Sequence, residues 1–204
     1  NEEAAISPHK NNDKKYLALD WFNKGDCWMT KILAWESGEL KEFEKLEVHR
    51  KGLRHPAISV FIFSRNKLLL QRRALEKYHT PGLWTNTCCT HPFPGEKPKS
   101  CSKRRLKEEM GITGVSLNFS TSIEYKANVG NNLIENEVVD IFFGFIEKIS
   151  TFRFIPNPEE VMDARWISIE SLKKEIELCP EKFTPWLRIY IKDYSILKED
   201  TLNS

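Results

Sequence analysis

The run Ala57-Ile-Ser-Val-Phe-Ile-Phe63, followed across the polar stretch Ser64 to Lys67 by Leu68-Leu-Leu-Gln-Arg-Arg73, constrains this chain most. Short apolar runs rich in β-branched and aromatic residues, separated by a polar break, predict a strand, a hairpin turn and a second strand. A buried sheet therefore starts at Ala57.

Other elements follow from the same patterning. Ser100 to Met110 carries helix formers, with Leu106 and Met110 one turn apart and Gly111 where a C-cap glycine belongs. Arg105 and Glu109 then share a helix face. The stretch Glu137 to Ile146 predicts a long strand, Ala164 to Ile167 a short one, and Ser168 to Leu178 a helix. Thr184-Pro185-Trp186 opens a last helix, with Thr as N-cap and Pro at the first helical position. Sheet and helices alternate without βαβ regularity, so the fold class is α+β, or mixed α/β, with no internal repeat. Residues 1–15 read as a disordered tail. Residues 16–44, with Trp21, Trp28 and Trp35, form an amino-terminal extension of one or two strands leading into a short helix near Leu40 to Leu46. Residues 45–196 form the main domain, and 197–204 a polar tail.

Charge and cysteine usage narrow the partners. Lys plus Arg number 31 against 29 Asp plus Glu, which argues against nucleic acid and leaves local basic clusters for a small anion. No apolar run approaches the roughly 20 residues of a membrane span. The amino end shows no apolar signal segment, and five cysteines without a disulfide pattern suit a reducing compartment, so a cytoplasmic location is expected. Cys88 and Cys89 are adjacent, which makes a disulfide between them strained.

Chemistry concentrates in Thr85-Asn-Thr-Cys-Cys-Thr-His-Pro92. Cys89 and His91 at that spacing suit a zinc ligand pair, a nucleophile with its base, or a proton-transfer thiol beside a metal-bound imidazole. His49 and His55 also lie in readable motifs, and Glu135 and Glu137 fall on one face of a strand. Three imidazoles and two carboxylates make a mixed nitrogen and oxygen shell for Mg²⁺, Mn²⁺ or Zn²⁺. Arg72-Arg73 with Lys77, and Lys103-Arg104-Arg105, suit an anionic ligand.

In this order the motifs resemble type 1 isopentenyl-diphosphate isomerase of the Nudix superfamily. The resemblance rests on Lys45-x-x-x-His49, Gly52-Leu-Arg-His55, Gln71-Arg-Arg-Ala-Leu-x-Lys77, Gly82-x-Trp-Thr-Asn-x-x-Cys-x-His-Pro92, Glu135-Asn-Glu137 and Phe183-Thr-Pro-Trp186. The Nudix box survives in part: Glu96, Arg104, Leu106, Glu108, Glu109, Gly111 and Ile112 fit it, while Thr90 replaces its first glycine and Arg105 its first helix glutamate. A cation in place of that carboxylate implies lost hydrolysis and retained diphosphate binding. The resemblance implies a Nudix-like mixed sheet flanked by helices, and metal-dependent interconversion of isopentenyl and dimethylallyl diphosphate through a carbocation. It implies Cys89 and Glu137 as the acid–base pair, Tyr125 assisting Glu137, and Trp186 stabilising the cation. It implies His49, His55, His91, Glu135 and Glu137 as ligands of one divalent ion, and Lys45, Arg73, Lys77 and Arg105 as diphosphate contacts. Glu109, with the backbone carbonyl of Cys89, would hold a Mg²⁺ arriving with the substrate. Cys88 reads as packing, and His79 and Cys27 have no assigned role. The segment before Lys45 departs from the family, as do Pro56 and Ile58. The competing functions are a Nudix hydrolase of another diphosphate, which Arg105 argues against, and a non-catalytic metal-stabilised binding module.

Overall fold

The computed structural model describes residues 30–192; the expected tails at 1–15 and 197–204, and the extension as far as residue 29, lie outside the described residues. Strands β1 (Lys31–Glu36) and β2 (Glu39–Glu44) pair antiparallel around Ser37 and Gly38, whose φ values are 52° and 84°. Two successive positive φ values give a hairpin turn whose twist matches its strands. The second strand occupies most of the stretch expected to be helical near Leu40 to Leu46, and helix α1 (Lys45–Lys51) begins only at Lys45. The Ser-Gly turn and the cross-strand ladder override the helix formers there.

The main sheet has seven strands: β3 (His55–Ser64), β4 (Lys67–Arg73), β5 (Trp84–Thr85), β6 (Cys88–Thr90), β7 (Leu117–Asn128), β8 (Ile134–Phe145) and β9 (Val161–Ser168). Their order is β5-β4-β3-β8-β7, with β6 added to β3 and β9 to β4. Among the described strands of this sheet only β3 and β8 pair parallel, from His55↔Glu137 to Phe63↔Phe145. The helices are α2 (Pro98–Met110), α3 (Ile169–Leu178) and α4 (Pro185–Lys192). The α+β class and the β3–β4 hairpin stand as expected.

Alternation along β3 builds the two-sided core. Phe61 and Phe63 point to one cluster with Leu187 and Tyr190 of α4 and Leu172 of α3. Ile58, Val60 and Ile62 point to the other, with Leu106 and Met110 of α2. Each such fully buried side chain contributes roughly 1.5–3 kcal/mol of transfer free energy. Gly111 ends α2 in the left-handed region (φ 65°), where a Cβ would meet the Ile155 carbonyl oxygen at 2.4 Å. Ser168 caps α3 by accepting from Ser171 N–H. At α4 the Thr184 carbonyl accepts from Arg188 N–H (3.2 Å), but the Thr184 hydroxyl donates across to Thr85 Oγ1 (3.1 Å).

Candidate active site

The sheet register delivers the carboxylates. Glu135 and Glu137 lie two residues apart on β8, so both project to one side, and both are buried. His55 opens β3 directly opposite Glu137, His49 comes from α1, His91 follows β6, and His79 comes from the loop between β4 and β5. Glu135 faces His49 Nε2 (3.1 Å) and His55 Nε2 (3.4 Å) with Oε2, and His79 Nε2 (3.2 Å) with Oε1. Glu137 Oε1 faces His91 Nε2 (3.0 Å) and His55 Nε2 (3.7 Å). Ligand atoms of His49, His55, His91 and Glu135 all lie within 4.8 Å of one another.

That set fits a divalent metal ion. His49 Nδ1 contacts the Lys45 carbonyl oxygen at 2.6 Å and His55 Nδ1 that of Leu53 at 2.7 Å, so each Nδ1 donates and each Nε2 is the atom left to face the carboxylates or a cation. Both Nε2 atoms and Glu135 Oε2 are buried without a hydrogen-bond partner. Such atoms are costly to bury unless they coordinate a cation. The electrostatics agree: burial opposes charge on His55, but Glu135 and Glu137 outweigh it and raise that imidazole to about 10. Burial pushes His91 down to about 3 despite Glu137. The two carboxylates thus draw one positive charge to the centre, while burial keeps the His91 ring neutral.

A second network holds the thiol. Cys89 Sγ lies 3.0 Å from Asn86 Oδ1, to which it donates, and 3.2 Å from Ser59 Oγ. Burial pushes this thiol up to about 12, against the opposing effect of those two hydrogen bonds, so it carries its proton. Asn86 donates from Nδ2 to the carbonyls of Val60 (3.1 Å) and Cys88 (3.0 Å) and accepts from Thr85 Oγ1 (3.0 Å). Thr85 Oγ1 in turn accepts from the Trp186 indole N–H (2.8 Å). On the other side, the Tyr125 hydroxyl donates to Glu137 Oε2 at 2.6 Å. Burial and Glu135 would raise the Glu137 carboxyl, but His55 and His91 hold it below the ordinary carboxylate range.

One cleft enclosing about 460 Å³ of open and enclosed space joins these networks to a basic wall of Lys45, Arg73, Lys77 and Arg105. Cys89, Tyr125, His91, Glu109, Glu135, Glu137 and Trp186 line it too, whereas His49 and His55 lie fully buried beside it. The Arg73 guanidinium sits 5.4 Å from the Trp186 ring centroid and donates to the carbonyls of Thr80 and His79. The Arg105 charge is not open to a ligand alone: Glu109 (2.6 Å), Glu108 (3.0 Å) and Glu160 (3.4 Å) surround it. Glu109 also accepts from Gln71 Nε2 (2.9 Å). Elsewhere in the box, Arg104 holds Glu96 through two 2.7 Å hydrogen bonds. Cys88 and Cys89 are both free, and Cys88 is packed in the core.

Sequence reasoning passed over His79, Ser59, Asn86, Tyr190 and Glu160. Asn86 lay inside a motif already singled out, and His79 lay beside Lys77. No spacing signals Ser59 with Tyr190, 131 residues apart, or Glu160 with Lys77.

A mixed sheet between helices, bearing beneath a basic cleft an imidazole and carboxylate cluster that could hold a metal ion, agrees with a Nudix-type domain. The NUDIX domain family matches residues 53–187. The chain is 54% identical over 163 residues to the isopentenyl-diphosphate Delta-isomerase of Cereibacter sphaeroides, covering 80% of this chain and 91% of that one. Against the protein of the same name from Dinoroseobacter shibae it is 51% identical over 164 residues, covering 80% and 92%. This chain belongs to the isopentenyl-diphosphate Delta-isomerase family of NUDIX-domain proteins. Solved structures share the fold alone. DR0079 from Deinococcus radiodurans aligns with a TM-score of 0.63 at 15% identity, over 80% of this chain and 97% of that one. A MutT protein from Methanosarcina mazei aligns at 0.55 and 17%, over 72% and 96%. No helix among the described residues is long and apolar enough to cross a membrane.

Proposed function

We propose that this protein interconverts isopentenyl and dimethylallyl diphosphate, with Cys89 and Glu137 as its proton-transfer pair. The observation that carries the reading is a thiol and a tyrosine-bonded carboxylate lining one cleft under a basic wall. Diphosphate hydrolysis requires neither group, and membership of the isomerase family supports the same conclusion.

The chemistry adds a proton to an unactivated alkene and removes one from the neighbouring carbon, passing through a tertiary carbocation. Lys45, Arg73 and Lys77 hold the diphosphate, while Arg105 shares its charge between the diphosphate and Glu109. Binding at the basic wall carries the hydrocarbon inward toward Trp186, whose π-face stabilises the cation by roughly 0.5–2 kcal/mol. The protonated thiol of Cys89 has a proton to give and the ionised carboxyl of Glu137 can take one, with the Tyr125 hydroxyl orienting the carboxylate. The low exposure of Glu137 and Trp186 keeps water from quenching the cation. His49, His55, His91 and Glu135, with Glu137 beside them, would hold Mn²⁺, Mg²⁺ or Zn²⁺, which supplies a fixed positive charge against the two buried carboxylates. Glu109 and the Cys89 carbonyl would receive the Mg²⁺ that accompanies the diphosphate.

Purified protein with Mg²⁺ is expected to form dimethylallyl diphosphate and to incorporate deuterium from heavy water. Cys89→Ala and Glu137→Gln are each expected to abolish turnover while preserving the circular dichroism spectrum. Release of phosphate or pyrophosphate without allylic product would refute the isomerase reading, and full activity in either variant would refute the pair.

A further inference from the structure

The basic wall is braced from behind. Lys77 comes from the loop between β4 and β5 and Arg105 from α2, yet one carboxylate reaches both. Glu160 Oε2 accepts from Lys77 Nζ at 2.5 Å, and Glu160 Oε1 faces Arg105 Nη2 at 3.4 Å. The Glu160 backbone ties the same two segments together. Its carbonyl accepts from Ala74 N–H (3.0 Å), three residues before Lys77. Its N–H closes a turn on the Asn157 carbonyl (3.0 Å), and Asn157 N–H donates to the carbonyl of Glu109 (2.8 Å), one helical turn beyond Arg105. A second cleft, enclosing about 470 Å³ of open and enclosed space, lies against the wall. Lys77 and Arg105 line both clefts, whereas Glu160 lines the second and not the first. The carboxylate therefore grips the two cations from the side away from Cys89 and Glu137. With side-chain exposures of 15% for Lys77, 19% for Arg105 and 22% for Glu160, these ion pairs escape most of the solvent screening that weakens surface pairs.

We propose that Glu160 is a positioning residue for the diphosphate, holding Lys77 and Arg105 as one two-pronged clamp before the substrate arrives. The proposal rests on the diphosphate contacts of the isomerase reading and adds to them a residue that touches no substrate atom. Long cationic side chains lose rotamer freedom when an anion orders them, and a site already ordered is relieved of that loss. A carboxylate near a diphosphate also has the opposite effect, because like charges repel. Geometry decides between the two. Glu160 sits behind the cations, so both positive charges stand between it and an anion in the first cleft. Its direction of pull matters as well. Glu108 and Glu109 lie on α2 itself and draw the Arg105 guanidinium along its own helix, at 3.0 and 2.6 Å. Glu160 draws it off the helix toward Lys77, and at the same time draws Lys77 toward α2. Without that carboxylate the two prongs lose their common anchor and the guanidinium is left to its helix neighbours.

The test reads binding apart from turnover. Glu160→Ala removes both contacts, while Glu160→Gln keeps the shape and one acceptor oxygen but discards the charge. Calorimetric titration with inorganic pyrophosphate in the presence of Mg²⁺ should show affinity weaker by about tenfold in Glu160→Ala, the scale of two long side chains no longer ordered in advance, and by about threefold in Glu160→Gln. Steady-state kinetics with isopentenyl diphosphate should show KM rising by the same factors and kcat falling less than KM rises, the mark of lost ground-state binding. Tighter pyrophosphate binding in both variants would overturn the proposal, because the carboxylate would then only repel the anion. Unchanged affinity, or a fall in kcat with KM at the parental value, would overturn it too, because Glu160 would then serve the fold alone. Should circular dichroism show Glu160→Ala unfolded, Glu160→Gln decides by the same readings. Parental protein that binds pyrophosphate but forms no allylic product would refute the isomerase reading, and the pyrophosphate titrations would still judge the clamp.

Discussion

Replacing Asn86 with Ala probes how firmly the thiol is held. Asn86 is fully buried and uses its amide four times: two donations, to the Val60 and Cys88 carbonyls, and two acceptances, from Thr85 and Cys89. Each intramolecular hydrogen bond contributes a net of about 1 kcal/mol, and a buried group left without a partner costs about 1–3 kcal/mol. Some relief is available, because Thr85 still accepts from Trp186 and Thr184, and Cys89 can turn to Ser59. The two carbonyls lose their side-chain donor outright. The expected destabilisation is about 3–5 kcal/mol, and a chain of this size loses roughly 2–4 °C of Tm per kcal/mol. Urea unfolding and thermal melts of parent and variant at one fixed metal concentration measure it. Asn86→Asp keeps the Oδ1 acceptor but turns an oxygen toward both carbonyls, so it should recover little of the loss. In the same variants kcat should fall further than KM rises, because the basic wall is untouched. A stability loss below about 1 kcal/mol would refute the reasoning, since ordinary surface substitutions reach half that.

Two further outcomes are expected. His79 faces Glu135 Oε1 at 3.2 Å without belonging to the close ligand set, so His79→Ala should weaken binding of Mn²⁺ or Zn²⁺ by about 10–100-fold. Competition with a chelating dye reads this, and unchanged affinity would remove His79 from the metal site. At Glu160 burial alone would raise the carboxyl, but Lys77 and Arg105 overcome it and hold the group down to about 2. A depressed carboxyl confers its stability above the unfolded value near 4.3 and loses it as pH falls toward the folded value. Between about pH 6 and about pH 3 the parent should therefore lose roughly 2 kcal/mol more than Glu160→Gln in urea unfolding, and equal losses would show that these ion pairs contribute nothing.

What the sequence disclosed depended on range. The apolar runs of β3 and β8, the capped α2 and the Thr-Pro start of α4 are local signals, and their elements form as expected. β7 gave no such signal: its inward residues Leu117, Ile123 and Tyr125 alternate with exposed polar ones, and a register shift between Phe119 and Thr121 breaks the period. The Ser37-Gly38 turn is a local signal too, but the helix formers from Leu40 to Leu46 compete with it. In the cleft, each residue carried by a short motif lies in or beside the cluster, from Lys45 and His49 to Trp186. Those brought in by tertiary packing were silent. His79 depends on how the loop from Ala74 to Leu83 folds back, and Ser59 acquires meaning only when α4 lays Tyr190 across β3.

The two-residue interval between Glu135 and Glu137, paired with Tyr125 across β7, has a consequence for how such a chain can evolve. Strand positions have parity. A slip or indel of one residue within β8 would exchange Glu135 and Glu137 for Ile134, Asn136 or Val138, withdrawing both carboxylates from the imidazoles in a single event. A change of two residues would bring one carboxylate to the place of the other and leave the rest of the strand on its proper side. Substitution can therefore explore this strand gradually, whereas its length can change only in pairs.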